Sequence, residues 1–503
     1  MEPQHSATQD IAIIGAGICG LCTSLALSEK GHRVTVYERD IPPPPGGAEE
    51  AFFEWKRRGA AQFRHPHAFL GVMCNILEDK YPELIEAFWE AGARRVNFRE
   101  MLPPHLMETY EPAPGDESLW MLLCRRATME TVLRRYATEK RGVTIINNTS
   151  VMAVSTDDKL GTARVSGLKL RNQDGKIETI TPDVVIDASG RTTKFPEWFR
   201  SHGIEFEVED DDAELVYYTR HYKLLPGETE PPRFGKTRSA GDLGYIKYGV
   251  FPGDNGHFAV ILCLPNEETE LREAVKSDED FQRMCMAIPG LEPWVSENKS
   301  EPTTHSFGFG DIHAVWRHFV KDGIPQILNY FAVGDAAVRT NPLYGRGCST
   351  GILHAHLLAD LLDRERDPVK RAIAFSEITE EEIRPIFKTS LSDDKRGIER
   401  ARAIREGERI ETTDTFRKWL RAAFLDAIAA AAREELHVIR GAMRTFNLME
   451  KPGTFLKDRR TQLTILRYMF KGRRKNAEAR YQQGPSREEM ISLITPTSTD
   501  VAA

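Results

Sequence analysis

Three short runs of residues carry the chemistry legible in this chain. The first is Gly15-Ala16-Gly17-Ile18-Cys19-Gly20, which follows the apolar run 11–14 and opens a helical stretch reaching Lys30. An acid, Glu38, stands 23 positions after its first glycine. Gly15 permits a tight turn, Gly17 lets the backbone approach a pyrophosphate, and Gly20 lets helix and strand pack closely. The helix N-terminus then offers free N–H groups and the positive end of its dipole to phosphates. Glu38, at the tip of a second strand, is placed to accept hydrogen bonds from ribose hydroxyls. An ordinary glycine-containing strand–helix turn lacks this context, so the run predicts a dinucleotide site.

The other two runs lie far downstream. Phe331-Ala-Val-Gly334-Asp335 reads as a buried strand ending in a carboxylate, and six residues later come Asn341-Pro342 and Tyr344-Gly345-Arg346-Gly347, before a helix over 349–362. A carboxylate there can bind a polyol hydroxyl. Glycine-rich backbone and a helix N-terminus can face an electron-accepting ring and stabilise its charge once reduced. Residues 345–351 could be mistaken for a second dinucleotide loop, but their helix leads to no strand ending in an acid at the expected distance.

The elements that must position these runs follow from periodicity. Alternation at 33–38 gives a second strand after Gly31, which suits a helix C-cap. A proline run at 42–45 interrupts regular structure, and helical pattern returns over 126–140. Strands are expected at 143–146, 164–170, 176–181 and 184–186, the middle pair turning at Asp174-Gly175. Residues 215–264 are strand-rich and aromatic, with a hairpin of 245–251 and 257–264 around 252–256. From about 334 the chain turns helical. Residues 412–449 repeat Phe416, Leu420, Phe424 and Ile428 at helical spacing.

The bulk composition bounds the class. The 503 residues are 41% hydrophobic and 28% charged, enough for a large core and two or three structural units. A formal net charge of -7 gives no reason to expect nucleic-acid binding. The longest apolar stretch, 258–264, is far short of a membrane-spanning helix. Residues 1–9 are short and polar and leave no room for a signal peptide. Seven scattered cysteines suit reduced thiols, so a cytoplasmic protein is expected. No metal site is read from the sequence.

In combination, the N-terminal glycine motif and the strand–Gly-Asp–six residues–Pro arrangement resemble the flavoprotein monooxygenases of the para-hydroxybenzoate hydroxylase type. Squalene epoxidases, geranylgeranyl reductases and flavin-dependent halogenases are similar relatives. The match runs over about 11–363. It implies an α/β, Rossmann-type (glutathione-reductase-like) FAD domain interleaved with an α+β substrate domain, then a helical C-terminal region. The boundaries expected are 1–200 and 326–365 for the FAD domain, 201–325 for the β-rich domain, 366–495 for the helical region, and 496–503 as a disordered tail.

Beyond Gly15, Ala16, Gly17, Cys19, Gly20, Glu38 and Arg39, the resemblance implies that Asp335 holds the FAD ribityl chain. It also implies that Pro342, Gly345, Gly347 and Cys348 lie near the isoalloxazine. Arg126, at the start of its helix, would contact the cofactor, and Val151 would sit beside the adenine. The segment from Trp55 to Leu70 looks like the flavin-side loop of one subgroup, bringing Arg58 and Gln62 towards the cofactor. There His67 either faces the reaction cavity or, with His65, caps the next helix.

The activity implied is insertion of one oxygen atom from O₂ into an apolar or aromatic small molecule, by hydroxylation or epoxidation through a flavin C4a-hydroperoxide. NAD(P)H would be the electron donor. Aromatic hydroxylases usually carry Asp-Gly where this chain has Asp187-Ala-Ser-Gly190, which leaves direct NAD(P)H reduction or a separate flavin reductase both open. The Trp-x-Trp-x-Ile-Pro signature of halogenases is absent, and an O₂-independent reductase of the geranylgeranyl reductase type is the alternative.

Tyr218 and Tyr245, with Tyr217 and Tyr248, either line a hydrophobic substrate cavity, for a terpenoid, polyene, steroid or aromatic natural product, or serve sheet packing. Cys19 and Cys22 read as small buried side chains. Leu463, Leu466 and Phe470 form an apolar stripe among basic residues. Packing on the helix's own domain is the expected role, with contact to an anionic membrane as the other reading.

Overall fold

The computed structural model describes residues 8–158, 161–232, 238–407, 415–480 and 484–494, the side chains of 477–480 excepted. The expected disordered tail at 496–503 and the start of the N-terminal segment lie outside these residues. The chain divides into two compact units. The first comprises Met1–Ala93, Cys124–Asp212 and His313–Leu391; the second comprises Arg94–Leu123, Ala213–Ile312 and Ser392–Ala503.

The first unit is built on a five-stranded parallel sheet. Its order is Tyr330–Ala332, Val184–Asp187, Asp10–Ile14, Arg33–Tyr37 and Thr144–Ile146. Asp10–Ile14 sits in the middle and is apolar almost throughout, as a parallel strand covered on both faces must be. Helices Ile18–Glu29, Arg126–Arg141 and Gly347–Arg364 pack together beside it. This is the Rossmann-type architecture the glycine motif predicts. A three-stranded antiparallel sheet, Ser150–Asp157, Arg164–Arg171 and Ile177–Ile180, completes the excursion between Thr144–Ile146 and Val184–Asp187.

The second unit holds a six-stranded antiparallel sheet centred on Leu215–Leu224 and His257–Pro265, with the expected hairpin realised as Lys247–Pro252 and His257–Pro265. One face of this sheet packs on Phe281, Leu291 and Trp294. Its C-terminal portion is helical: Phe416–Glu434, Leu436–Phe446, Arg459–Lys471 and shorter helices beyond. Here one expectation is corrected. Helix Arg459–Lys471 buries Thr461, Thr464, Ile465 and Tyr468, whereas Leu463, Leu466 and Phe470 point outward. The helix has two apolar sets, and the other one does the packing.

Four histidines of the first unit are held neutral by burial. Burial pushes His65, His354 and His356 down to about 4, helped at His356 by Lys80, and burial with Arg126 pushes His67 down to about 3. His354 Nε2 lies 2.9 Å from Thr379 Oγ1, and its ring stacks on Phe375 at 4.7 Å. The unfolded chain takes up protons near pH 6.5 that the folded chain refuses. This contribution to stability is therefore complete above about pH 6.5 and lost as pH falls towards 4. The melting temperature should fall by several degrees between pH 6.5 and 4.5, and both His354→Gln and His356→Gln should flatten that slope. Thermal unfolding followed across pH checks both.

Candidate cofactor site

The glycine loop is held by contacts that no other residue type permits. Gly15 N donates to Tyr37 O at 2.8 Å with φ +103°, and a Cβ at Gly15 would meet Ala188 O at 2.7 Å. At Gly20 a Cβ would lie 2.0 Å from Gly15 O, so strand and helix approach only because it is absent. Gly17 is open, with Arg126 Nη2 the nearest atom to its missing Cβ, at 3.7 Å. The helix that follows has no acid in its first turn and no side-chain cap, leaving its first N–H groups available to an anion.

Behind the loop lies a buried ionic network. The Glu38 carboxylate accepts from Ala16 N at 2.9 Å and Asp40 N at 3.0 Å. Arg57 stands between three carboxylates: its Nη1 is 3.1 Å from Glu38 and 2.9 Å from Asp40, and its Nε is 3.0 Å from Glu130. Arg126 Nε donates to the other Glu130 oxygen at 2.6 Å. Arg134 Nη2 donates to Ala16 O at 3.2 Å and lies 3.6 Å from Glu38. Three guanidiniums thus balance three carboxylates.

Burial alone would raise the carboxyls of Glu38 and Glu130. Arg57 with the Asp40 amide and Arg134 outweighs it at Glu38, and Arg57 with Arg126 outweighs it at Glu130; both stay below the usual range. Arg57 and Arg134 also lie over the Trp55 ring, at 4.8 and 5.1 Å.

Sequence reasoning selected Arg58 from this segment, but Arg58 is exposed, and among the described residues its engagement is through its carbonyl, which accepts from Arg39 Nη2 at 3.2 Å. Its neighbour Arg57 turns inward. Glu130 and Arg134, one and two helical turns after Arg126, were also missed; their i,i+4 spacing from Arg126 and from each other was the available signal. Gln62 is half-buried, and its carbonyl accepts from His65 N at 3.0 Å. His67 Nε2 is 3.0 Å from Arg126 Nη1 and its Nδ1 is 2.8 Å from His65 O. An arginine can only donate, so Nε2 accepts and Nδ1 carries the proton. His67 thereby orients Arg126 and has no lone pair left to act as a base.

The downstream runs complete the site. Gly334, at φ +59°, leaves no room for a Cβ beside Cys19 Sγ, 2.8 Å away. Asp335 follows it, half-buried, and among the described residues none donates a hydrogen bond to its carboxylate. Burial raises its carboxyl against Arg339, Arg126, Arg191 and Arg317. Gly345, at φ +64°, would place a Cβ 2.6 Å from Ala68 Cβ, and the missing Cβ of Gly347 would be 3.8 Å from Asp335 Oδ1. Residues 345–347, Ala68 and Asp335 are therefore neighbours. Pro342 opens a 3-10 turn capped by Asn341, whose Oδ1 accepts from Leu343 N at 3.0 Å.

Helix Gly347–Arg364 also has an acid-free first turn and packs on helix Ile18–Glu29, with Cys19 Sγ 3.7 Å from Gly351 O. Burial pushes the Cys19 and Cys348 thiols up to about 12, so both stay protonated. Val151, half-buried, is the second residue of strand Ser150–Asp157, which is reached from Glu38 through the Thr149 N to Glu38 O bond of 2.9 Å.

Two further sequence features have structural partners. Asp187 is buried and accepts from Ser189 N at 2.9 Å, from Tyr330 OH at 3.0 Å and from Thr193, so its oxygens tie the Ala-Ser-Gly190 turn to the sheet. In the second unit, Tyr218 and Tyr245 belong to the apolar core, and Tyr245 OH donates to Pro485 O at 2.8 Å. Sheet packing accounts for both.

A half-buried carboxylate with no donor, beside two glycine-lined helix N-termini and a tethered acid at a strand tip, fits the polyol, pyrophosphate and ribose of FAD. The FAD dependent oxidoreductase family matches residues 10–51. Over 384 residues the chain is 54% identical to an FAD-dependent monooxygenase of Aspergillus terreus, covering 72% of this chain and 79% of that one. The chain belongs to the FAD-dependent monooxygenases. Another of them, from Aspergillus niger, is 26% identical over 376 residues, 70% of this chain and 76% of that one. In fold, the monooxygenase is similar to p-nitrophenol 4-monooxygenase of Pseudomonas putida: TM-score 0.57 at 16% identity, covering 88% of this chain and 99% of that one.

In this monooxygenase Arg57→Met would leave three buried carboxylates short of a partner. It should cost about 3–5 kcal/mol of stability, read by denaturant unfolding of the flavin-free protein, whereas Arg58→Met should change it by less than about 0.5 kcal/mol.

Proposed function

We propose that this enzyme inserts one oxygen atom of O₂ into an apolar or aromatic small molecule, by hydroxylation or epoxidation, with NAD(P)H as electron donor directly or through a separate flavin reductase. The observation that carries the reading is the unpartnered Asp335 carboxylate beside Gly347 and the acid-free helix start that follows. The identity to the Aspergillus terreus monooxygenase supports the class of reaction.

In this reading Gly15, Ala16, Gly17, Cys19 and Gly20 carry the pyrophosphate on backbone N–H groups. Glu38 takes the adenosine ribose hydroxyls, with Arg39 at the rim and Val151 beside the adenine. Arg126, held by Glu130 and His67, points to the phosphates, and Arg58 and Gln62 border the loop. Asp335 accepts from the ribityl hydroxyls. Pro342, Gly345, Gly347 and Cys348 form the backbone wall of the flavin ring. When bound, FAD supplies the redox chemistry and the activation of O₂.

The protein's part is to position and to stabilise charge. The amides at the start of helix Gly347–Arg364 face the ring and favour negative charge there without reorganising. Protonated Cys19 and Cys348 add no competing anion. His67, committed to Arg126, positions that side chain and takes no proton. No side chain need act as an acid or base.

Two measurements test this. Asp335→Asn, which keeps the shape but weakens the acceptor, should lower FAD affinity about ten- to a hundredfold without changing the melting temperature of the flavin-free protein. Turnover of apolar aromatic or alkene compounds under ¹⁸O₂ should place one labelled atom in the product and stop under anaerobic conditions. Continued anaerobic turnover would replace the monooxygenase reading with a reductase.

A further inference from the structure

The C-terminal helices of the second unit present an apolar surface that the flavin chemistry does not use. Phe470 is 83% exposed, Phe416 75% and Leu463 69%. Leu466, Trp419 and Leu420 are also exposed, and the Phe416 and Trp419 rings stack at 5.9 Å. On helix Arg459–Lys471 the exposed set is spaced i, i+3, i+7. On helix Phe416–Glu434 it is spaced i, i+3, i+4, and the two helices pack on one another. Helix Arg459–Lys471 already buries a separate face, through Thr461, Thr464, Ile465 and Tyr468, whereas on helix Phe416–Glu434 the exposed residues are the uncovered first turns of the stripe that buries Ala423, Ala427 and Ala430 further along.

Charge identifies what the face meets. Residues 415–425 and 459–475 contain ten Arg and Lys and no Asp or Glu, in a chain whose net charge is -7. Arg417, Arg421, Arg459, Arg460, Arg474 and Lys475 are all exposed. Exposed aromatic and leucine side chains ringed by cations match the boundary of an anionic lipid leaflet, where the rings enter the acyl region and the cations stay at the phosphates. A symmetric pairing of two copies through this face would set basic residue against basic residue. Side chains this prominent also suit a surface that yields to them more than a protein partner with matching pockets. Among the described residues no helix is long and apolar enough to cross a membrane, so the contact is peripheral.

We propose that this monooxygenase docks on anionic membrane surfaces through helices Phe416–Glu434 and Arg459–Lys471. The docking stands apart from the identity of its substrate.

The test is co-sedimentation of the FAD-loaded enzyme with sucrose-filled vesicles of phosphatidylcholine alone or with about 30% phosphatidylserine. The wild type should partition onto the anionic vesicles only, and raised salt should release it. The triple variant Phe416→Ser/Leu463→Ser/Phe470→Ser should lose at least about tenfold in partitioning. So should Arg459→Gln/Arg460→Gln/Arg474→Gln/Lys475→Gln, with flavin absorbance and melting temperature retained. The charge variant decides the matter if the apolar one misfolds. No binding to either vesicle, or binding unchanged in these variants, overturns the proposal. A concentration-dependent dimer abolished by the triple variant, without vesicle binding, overturns it in favour of a self-interface.

Discussion

Arg57 sits where three carboxylates would otherwise repel one another in a dry interior. Its Nη1 meets Glu38 and Asp40 while its Nε meets Glu130, and its side chain is almost wholly buried. Removing any of these charges from water is expensive, and the arrangement is tolerable only because every member is satisfied. The network ties three stretches distant in sequence: the tip of strand Arg33–Tyr37, the loop after residue 54, and helix Arg126–Arg141. Its effect is to fix Glu38 against Ala16, and so to fix the glycine loop relative to the acid that closes it.

Because the network's charges largely balance one another, the attraction for a phosphate rests chiefly on backbone, with Arg126 beside it: the free amides of helix Ile18–Glu29, whose start lies close to that of helix Gly347–Arg364 where Cys19 packs on Gly351 and Gly334. Glycine is needed at 15, 20, 334 and 345 because a methyl group at each would strike its neighbour. Within this closely fitted region the Asp335 carboxylate stands apart. Folded proteins rarely leave a half-buried acceptor without a donor, and a ligand hydroxyl is the natural partner.

Much of this was legible in the sequence because it is local. The glycine spacing, the acid at 38 and the Gly-Asp strand end are properties of single strand–helix units, and they sit where periodicity placed them. Helix Arg126–Arg141 and the hairpin of the second unit were likewise visible as simple repeats. Strand Ser150–Asp157 was missed because its burial alternates weakly and its ladder carries register shifts, so no clean period-two signal survives.

The inward turn of Arg57 rather than Arg58 was beyond local reading. Both are cations beside a tryptophan, and it is the carboxylates of Glu38, Asp40 and Glu130, brought together by the fold, that select between them. The outward face of helix Arg459–Lys471 escaped for a related reason: two apolar stripes share one helix, and only tertiary packing decides which is covered. Segment 94–123 joins the second unit through the packing of Phe98, Leu102 and Leu106 on Leu436, Ile439 and Met443 and through the Arg440–Asp116 ion pair, neither of which leaves a mark in the sequence.

The central claim is that the geometry of the Arg57 network, and not merely its charge, holds the acid and loop that receive FAD. Arg57→Lys keeps the charge but cannot reach three carboxylates with one planar group. Calorimetric titration of FAD onto the flavin-free Arg57→Lys protein is the most direct measurement. Its affinity should be at least about tenfold weaker than that of the wild type; an unchanged affinity would contradict a geometric role for Arg57.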